Sequence, residues 1–295
     1  MILEWILNSK KRLERFFKFK MIIKNIIITG ATGYIGKNII PILLKKKYKV
    51  VILARSIDKI KKLKWFSKII YIDFDFNKAN LNLEKIKNNS TLLHLAWEGL
   101  PHYNSKSHLN NVSKQFKFLK QIIKKKKIKN LIITGTCQEY GLKEGIQNIS
   151  QGIFPNTCYA KAKSILYKKI INLKKKNLFY FKWLRLYYSW GKYQRADSLL
   201  GQLNSAIKNG EKYFKMSNGD QLRDYMPISK MVNKIIKAIN IKEDGIYNVC
   251  SGKPIAVKNL VKKIINMKKK KLRLKLGYYP YPNHEPKNFW GKSNI

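Results

Sequence analysis

The stretch IIITGATGYIGKNIIPIL, residues 26–43, limits what this chain can fold into more than any other. A run of β-branched residues reads as a buried strand, apolar residues at helical spacing follow from Tyr34, and Gly30, Gly33 and Gly36 stand between them. A strand that passes through a glycine turn straight into a helix opens a crossover unit of a parallel sheet. Pro41, inside the helical pattern, predicts a kink or a tolerated break. The rhythm then repeats. Strands are expected near 25–29, 49–54, 68–72, 91–96, 129–134 and 179–186, and helices over 34–47, 107–127 and 159–175. Such alternation predicts an α/β chain with a doubly wound parallel sheet covered on both faces. After Leu186 the rhythm loosens, and residues 187–295 are expected to form a smaller substrate-binding region with segments returning to the sheet of residues 21–186.

The loop itself suits a dinucleotide. Gly30 permits a tight turn, Gly33 lets a pyrophosphate approach the backbone, and Gly36 lets the helix pack on the strand. Thr32, Tyr34 and Ile35 complete a helix start whose free N–H groups favour phosphate. A site for NAD places an acidic residue about 20 residues on, at the end of the second strand. Arg55 and Ser56 stand there instead, which favours NADP(H), with NAD(H) as the alternative. Asp75 and Phe76, after the third strand, are expected beside the adenine, with Asp73 competing for the carboxylate role.

Sixty-two basic against 16 acidic residues give a net charge of +46. The lysines are spread along the whole chain among Ile and Asn, and no nucleic-acid motif accompanies them. A solvated basic surface is the reading, with no specific nucleic-acid partner, though anionic substrates are drawn in. No apolar run is long enough for a membrane span. Three cysteines, Cys137, Cys158 and Cys250, show neither metal-ligand spacing nor a disulfide framework, so no metal is expected and the cytoplasm is the expected compartment. Residues 1–20 read as a basic amphipathic extension, either disordered or ahead of the true start at Met21.

Tyr159 and Lys163 lie four apart on one helix face. A phenol beside a fixed ammonium has its anion stabilised, so its pKa is expected to fall toward the working pH. Taken in order, TGATGYIG, LLHLAW, IITGTCQEYG, PNTCYAKAK, LRLYYSWG, QLRDYMPISKM and GIYNVCSGKP resemble the extended short-chain dehydrogenase/reductase family, in its branch acting on nucleotide sugars. The resemblance runs from about Met21 to Val261. It implies a Rossmann domain with a C-terminal substrate domain, a homodimer through a helix bundle, and a Ser/Thr-Tyr-Lys triad.

Carried onto this sequence, the resemblance gives Thr136 the hydroxyl position, Tyr159 the proton-exchanging phenol, and Lys163 the cation that lowers the tyrosine pKa and holds the nicotinamide ribose. Leu95 and Ala96 lie beside the cofactor, with His94 as a packed histidine and Asn111 in a structural role. Trp97, Cys137 and Gln138 fall on the sugar side, Tyr140 is expected as a wall of the site, and Arg223 matches an arginine that contacts the substrate diphosphate. The dehydratases of the family carry an Asp-Glu pair after the catalytic Thr. Cys137 and Gln138 stand there, so dehydration is disfavoured. Arg55 favours a reductase that spends NADPH on a 4-keto-6-deoxyhexose, and the aromatic tail LGYYPYPNHEPKNFWG resembles tails of reductases making deoxyhexoses. A 4-epimerase with retained NAD is the alternative. A non-catalytic NADP-binding regulator or RNA-binding protein is the remote one.

Overall fold

The computed structural model describes residues 24–78, 83–126, 128–281 and 285–295; the 1–20 extension of the sequence analysis lies outside them. Its first half follows the strand–helix rhythm as β1 (Asn25–Thr29), α1 (Tyr34–Lys45), β2 (Lys49–Ala54), α2 (Ile57–Lys61), β3 (Ile70–Asp73), β4 (Thr91–His94), α3 (Ser107–Lys126) and β5 (Asn130–Thr136). After a 3-10 turn, Cys137–Tyr140, come β6 (Gly145–Gln147), α4 (Cys158–Lys174), β7 (Tyr180–Leu186), β8 (Tyr188–Trp190), α5 (Leu199–Lys208) and β9 (Tyr213–Lys215). The chain continues through β10 (Leu222–Arg223), β11 (Tyr225–Pro227), α6 (Ile228–Asn240), β12 (Gly245–Val249), β13 (Ile255–Ala256), α7 (Val257–Met267), β14 (Arg273–Lys275) and β15 (Asn288–Gly291).

Seven strands form one parallel sheet in the order β12-β7-β5-β4-β1-β2-β3. Its strands are apolar on both faces because both faces are covered. Ile26, Ile28, Val50, Ile52 and Leu93 point to one side, against Ile39, Ile40 and Leu43 of α1 and Met231, Val232 and Ile235 of α6. Ile27, Val51, Leu53, Leu92 and Leu131 point to the other, against Phe118, Leu119 and Ile122 of α3 and Leu166 and Ile170 of α4. A third, smaller core joins Leu200 and Leu203 of α5 to Leu260, Val261 and Ile264 of α7 around Phe214 and Met216.

Strand order reverses between β1 and β4, and ligands of open parallel sheets collect at such a switch, beyond the carboxyl ends of the strands. Pro41 does not break α1, which is continuous over its 12 residues. The proline is exposed, so the carbonyl it leaves unpaired can be met by water on the solvent face. Among the described residues no helix is long and apolar enough to cross a membrane.

Candidate active site

The glycine loop is built by contact as much as by conformation. Gly30 has φ +75°, and a Cβ there would stand 2.7 Å from the Ala96 nitrogen, so the turn is pressed against the chain leaving β4. A Cβ on Gly36 would meet the Gly30 oxygen at 2.4 Å, which fixes how closely α1 approaches the strand end. Gly33 is different. It is exposed, caps α1 with no side-chain cap bond, and a Cβ there would touch only the Gly30 oxygen, at 3.2 Å. The open side of the loop is therefore the helix N-terminus at Gly33. Thr29 joins the two strands at the switch: its hydroxyl pairs with His94 Nδ1 at 2.8 Å and accepts from the Ala96 N–H at 3.3 Å.

Two cavities meet at this loop. A groove of about 240 Å³ runs over Gly30–Gly33 between Arg55, Ser56 and Lys59 on one side and Phe74, Phe76, Leu95, Ala96 and Trp97 on the other. A cavity of about 510 Å³ joins Gly33, Tyr34, Ile35 and Gly36 to Thr136, Cys137, Gln138, Tyr159 and Lys163, and is lined also by Tyr103, Tyr188 and Arg195. The pair of spaces, joined at an uncapped helix start with room beside Gly33, fits a dinucleotide lying across the switch point.

At the centre of the larger cavity α4 presents Tyr159 and Lys163 toward the end of β5. The Tyr159 hydroxyl is within hydrogen-bonding reach of Thr136. Lys163 is buried, donates to the Thr134 carbonyl at 2.8 Å, and places its ammonium 4.0 Å from the centre of the Trp97 ring. Trp97 is held in turn by its indole N–H, which donates to His108 Nδ1 at 3.1 Å. Burial pulls the Lys163 pKa down to about 7, with the Glu139 carboxylate acting the other way. The expected depression of the Tyr159 pKa is not found. Burial among Tyr103, Trp97 and His108 raises it, with Tyr103 and Glu139 adding to the rise. Lys163 stands 5.8 Å from the ring centre and is itself only weakly held in its charged form.

Glu139 was no candidate from sequence, yet it organises the end of β5. Its buried carboxylate accepts from the Thr136 N–H at 2.9 Å, from Trp183 Nε1 at 3.0 Å and from Arg185 Nε at 2.9 Å. Thr136 Oγ1 accepts in turn from the Gln138 N–H, so Thr136 and Glu139 form a reciprocal cap on the 3-10 turn. The T-x-x-E spacing in TCQE was the signal for it.

Several expectations need correction. Asp75 is absent from the groove: its carboxylate accepts from the Asn77 N–H and side-chain amide, an Asx turn that keeps it local. Asp73 accepts from the Tyr71 hydroxyl, and Phe76 alone of that pair of expected residues reaches the groove. Tyr140 is no wall of the cavity; it is buried, donates to Asn248 Oδ1 at 2.9 Å and lies under the Arg185 guanidinium. Arg223 is not among the residues lining the cavity, although its guanidinium lies 5.9 Å from the centre of the ring of Tyr188, which does line it. It is buried on β10, with Nε and Nη2 donating to Glu285 and Nη1 to the carbonyls of Leu222 and Lys287. Its carboxylate partner comes from the chain just ahead of β15, neither Asp220 nor Asp224.

Arg55 does line the groove, but its guanidinium pairs with Glu98 at 2.5 Å. His94 is a packed histidine, fully buried against Phe118, its pKa lowered to about 3 by burial and by the Lys163 charge. Asn111 donates to the Glu98 carbonyl at 3.3 Å, a structural role. Among the described residues no group of His, Cys, Asp and Glu is arranged to hold a metal ion.

Comparison with known proteins agrees with this geometry. The chain is 30% identical over 271 residues to dTDP-6-deoxy-L-talose 4-dehydrogenase (NAD(+)) of Aggregatibacter actinomycetemcomitans, covering 90% of this chain and 99% of the relative. It is 24% identical over 278 residues to a probable UDP-arabinose 4-epimerase of Arabidopsis thaliana, covering 81% of this chain and 67% of that one. Its fold matches UDP-N-acetylglucosamine 4-epimerase from Methanobrevibacter ruminantium with a TM-score of 0.80 at 22% identity, over 93% of this chain and 91% of that one. The family model of the NAD dependent epimerase/dehydratase family matches residues 26–250, and with the glycine loop, the switch point and the Thr136, Tyr159 and Lys163 cluster in place, the chain belongs to that family of nucleotide-sugar-modifying enzymes.

Proposed function

We propose that this protein reduces the C4 ketone of a nucleotide-linked 4-keto-6-deoxyhexose, using Thr136, Tyr159 and Lys163 on the sugar and a nicotinamide dinucleotide in the paired cavities. The observation that carries this reading is the meeting of those three side chains in one cavity whose neighbouring positions hold Cys137 and Gln138. Neither of these can act as the acid and base that elimination from the sugar requires, so the chemistry left to the site is hydride and proton exchange at one carbon. The nicotinamide, when bound, supplies the hydride.

The chain's own groups do the rest. Thr136, fixed by Glu139, donates to the reacting oxygen and orients the ketone. Tyr159 delivers the proton to that oxygen as the carbon becomes tetrahedral, a role its raised pKa suits, because the phenol is protonated at neutral pH. Lys163, anchored on the Thr134 carbonyl, offers its remaining donors to the nicotinamide ribose and stabilises the phenolate left behind. Aromatic side chains of Trp97, Tyr103 and Tyr188 exclude water from a surface suited to a sugar's methyl group.

NADPH is the proposed donor, supported by Arg55, Ser56 and Lys59 at the groove and opposed by the Glu98 carboxylate that already pairs with Arg55. A 4-epimerase is the second reading, favoured by the epimerase relative and fold neighbour. A homodimer through the outer faces of α3 and α4, where Leu109 and Ile165 are exposed, belongs to the same proposal.

The test is to incubate the enzyme with NADPH or NADH and a panel of dTDP-, CDP- and UDP-linked 4-keto-6-deoxyhexoses, following loss of the reduced nicotinamide absorbance. Stoichiometric consumption, falling by about 10²–10⁴ in Tyr159→Phe, is expected. Conversion of a nucleotide sugar to its epimer without consumption would instead establish the epimerase.

A further inference from the structure

Trp97 belongs to both spaces at the glycine loop: it lines the groove over Gly30–Gly33 and also the larger cavity that holds Thr136, Tyr159 and Lys163. Leu95 and Ala96 just before it donate to the Thr29 carbonyl and hydroxyl, both at 3.3 Å, so the backbone that carries the ring is tied to β1. The ring is tied a second time at its edge. Its indole N–H donates to His108 Nδ1 at 3.1 Å, and His108 Nε2 lies 3.1 Å from the His102 carbonyl. An indole N–H only donates and a carbonyl only accepts, so both contacts require one tautomer, neutral His108 with its proton on Nε2. His108 is itself packed against the backbone at Gly99, where φ is +90° and a Cβ would stand 2.9 Å from Cε1.

Held by these two ties, the indole face meets the Lys163 ammonium at 4.0 Å. Lys163 is buried, and its hydrogen-bond acceptor among the described residues is the Thr134 carbonyl. One carbonyl is little compensation for an ammonium taken out of water. Of the aromatic rings, indole attracts a cation most strongly, and the attraction is largest where water is excluded.

We propose that Trp97 is a positioning residue for Lys163: its ring face keeps the ammonium charged and aimed between Thr134 and Tyr159, and His108 sets the ring. The proposal rests on the reading above that Lys163 meets the nicotinamide ribose of a dinucleotide in the paired cavities. A residue that only walled the cavity would change affinity equally at every pH, whereas a partner of the cation changes the pH at which the cation is lost. The other titratable groups facing Lys163 leave the neutral range to it. Burial lowers His94 of β4 and His108 of α3 and raises Tyr159 of α4, and the Glu139 carboxylate of the 3-10 turn is already paired with Arg185.

Dinucleotide binding tests this without turnover. Titration calorimetry of NADH and NADPH is run from about pH 5.5 to 9 on the wild-type protein, Trp97→Leu, Trp97→Phe and His108→Leu. For the dinucleotide that binds, wild-type affinity is expected to break downward near pH 7, where Lys163, its pKa lowered to about 7 by burial, gives up its proton. Trp97→Leu is expected to move the break down by about one pH unit, and Trp97→Phe, which keeps a ring, by less. His108→Leu, which unties the ring, should move it in the same direction. Trp97→Phe serves alone if Trp97→Leu does not fold. A break that stays at the wild-type pH in the folded Trp97 variants overturns the proposal, as does a loss of affinity equal at every pH or wild-type binding with no break. An unmoved break in His108→Leu alone overturns the part assigned to His108. A wild type that binds neither dinucleotide overturns the reading of the cavities on which the proposal rests.

Discussion

Lys163 is asked to be a cation in a place that disfavours cations. Burial lowers its pKa from 10.5 to about 7, so above neutral pH the folded protein binds fewer protons at this site than the unfolded chain does. Stability is then expected to rise with pH between about 7 and 10.5 as far as this group decides it, because the penalty for burying the charge is present below pH 7 and is relieved above it. Activity is expected to move the other way. As pH rises through about 7 Lys163 loses the proton that, in the proposed mechanism, supports the Tyr159 phenolate and the ribose contact, and kcat/KM for reduction should fall with that midpoint. Lys163→Arg, which stays charged, should move this limb at least one pH unit upward even if its maximal rate is lower. A limb unmoved by the substitution would assign the titration to another group. At Gly33 a second residue-scale expectation follows: Gly33→Ala should fold with little loss of stability, since its Cβ meets one oxygen at 3.2 Å, yet raise the KM for the dinucleotide. Gly30→Ala, with φ +75° and backbone 2.7 Å away, should be destabilised outright. Melting temperatures alongside nicotinamide KM values separate the two.

At the scale of elements, the end of β5 and its 3-10 turn form the most consequential joint. Glu139 ties Thr136 to Trp183 and Arg185 of β7, and Arg185 lies over Tyr140, which reaches Asn248 of β12. One carboxylate thus sets Thr136 and joins three neighbouring strands. Glu139→Ala should cost about 3–5 kcal/mol, because it strands a buried guanidinium, and Glu139→Gln with Arg185→Met should recover much of that loss; urea midpoints for both decide it. This network also marks where sequence reading fell short. That the glycine loop, Thr136, Tyr159 and Lys163 would come together in one cavity was legible because these residue types recur in a fixed order and local spacing along the chain. Only the cap that Glu139 makes on Thr136 was there to be read, in the T-x-x-E spacing; its partners in β7 lie 44 and 46 residues away, beyond any local pattern. The ion pair of Arg223 was hidden for the same reason: only the fold brings Glu285 to it from 62 residues on. Most strand and helix positions before Leu186 were read well because burial on both sheet faces leaves continuous apolar runs; after it α5, α6, α7 and β12 were not read as elements, and the two- and three-residue strands carry too few residues to show a period.

The whole molecule is a polycation that works on anions. With +46 formal charges, both dinucleotide and nucleotide sugar should be steered inward, and kcat/KM is expected to fall steeply with ionic strength while kcat changes little. The same field opposes self-association. Leu109 and Ile165 on α3 and α4 are flanked by exposed Lys114, Lys117, Lys161 and Lys168, so the proposed dimer should strengthen as salt rises, a trend that light scattering from 50 to 500 mM salt would show or refute. The strand β15 has a further consequence. It lies between β10 and β6 and pairs Phe289 with Gly145, so the four-stranded sheet is complete only once a strand far along the chain from β6 has been made. At synthesis rates of about 5–20 residues per second, β6 waits on the order of ten seconds for its partner after leaving the ribosome. For that interval its backbone is an unpaired edge on a chain rich in isoleucine. That sheet is finished late, and time spent on the ribosome becomes a physical parameter of the protein's yield.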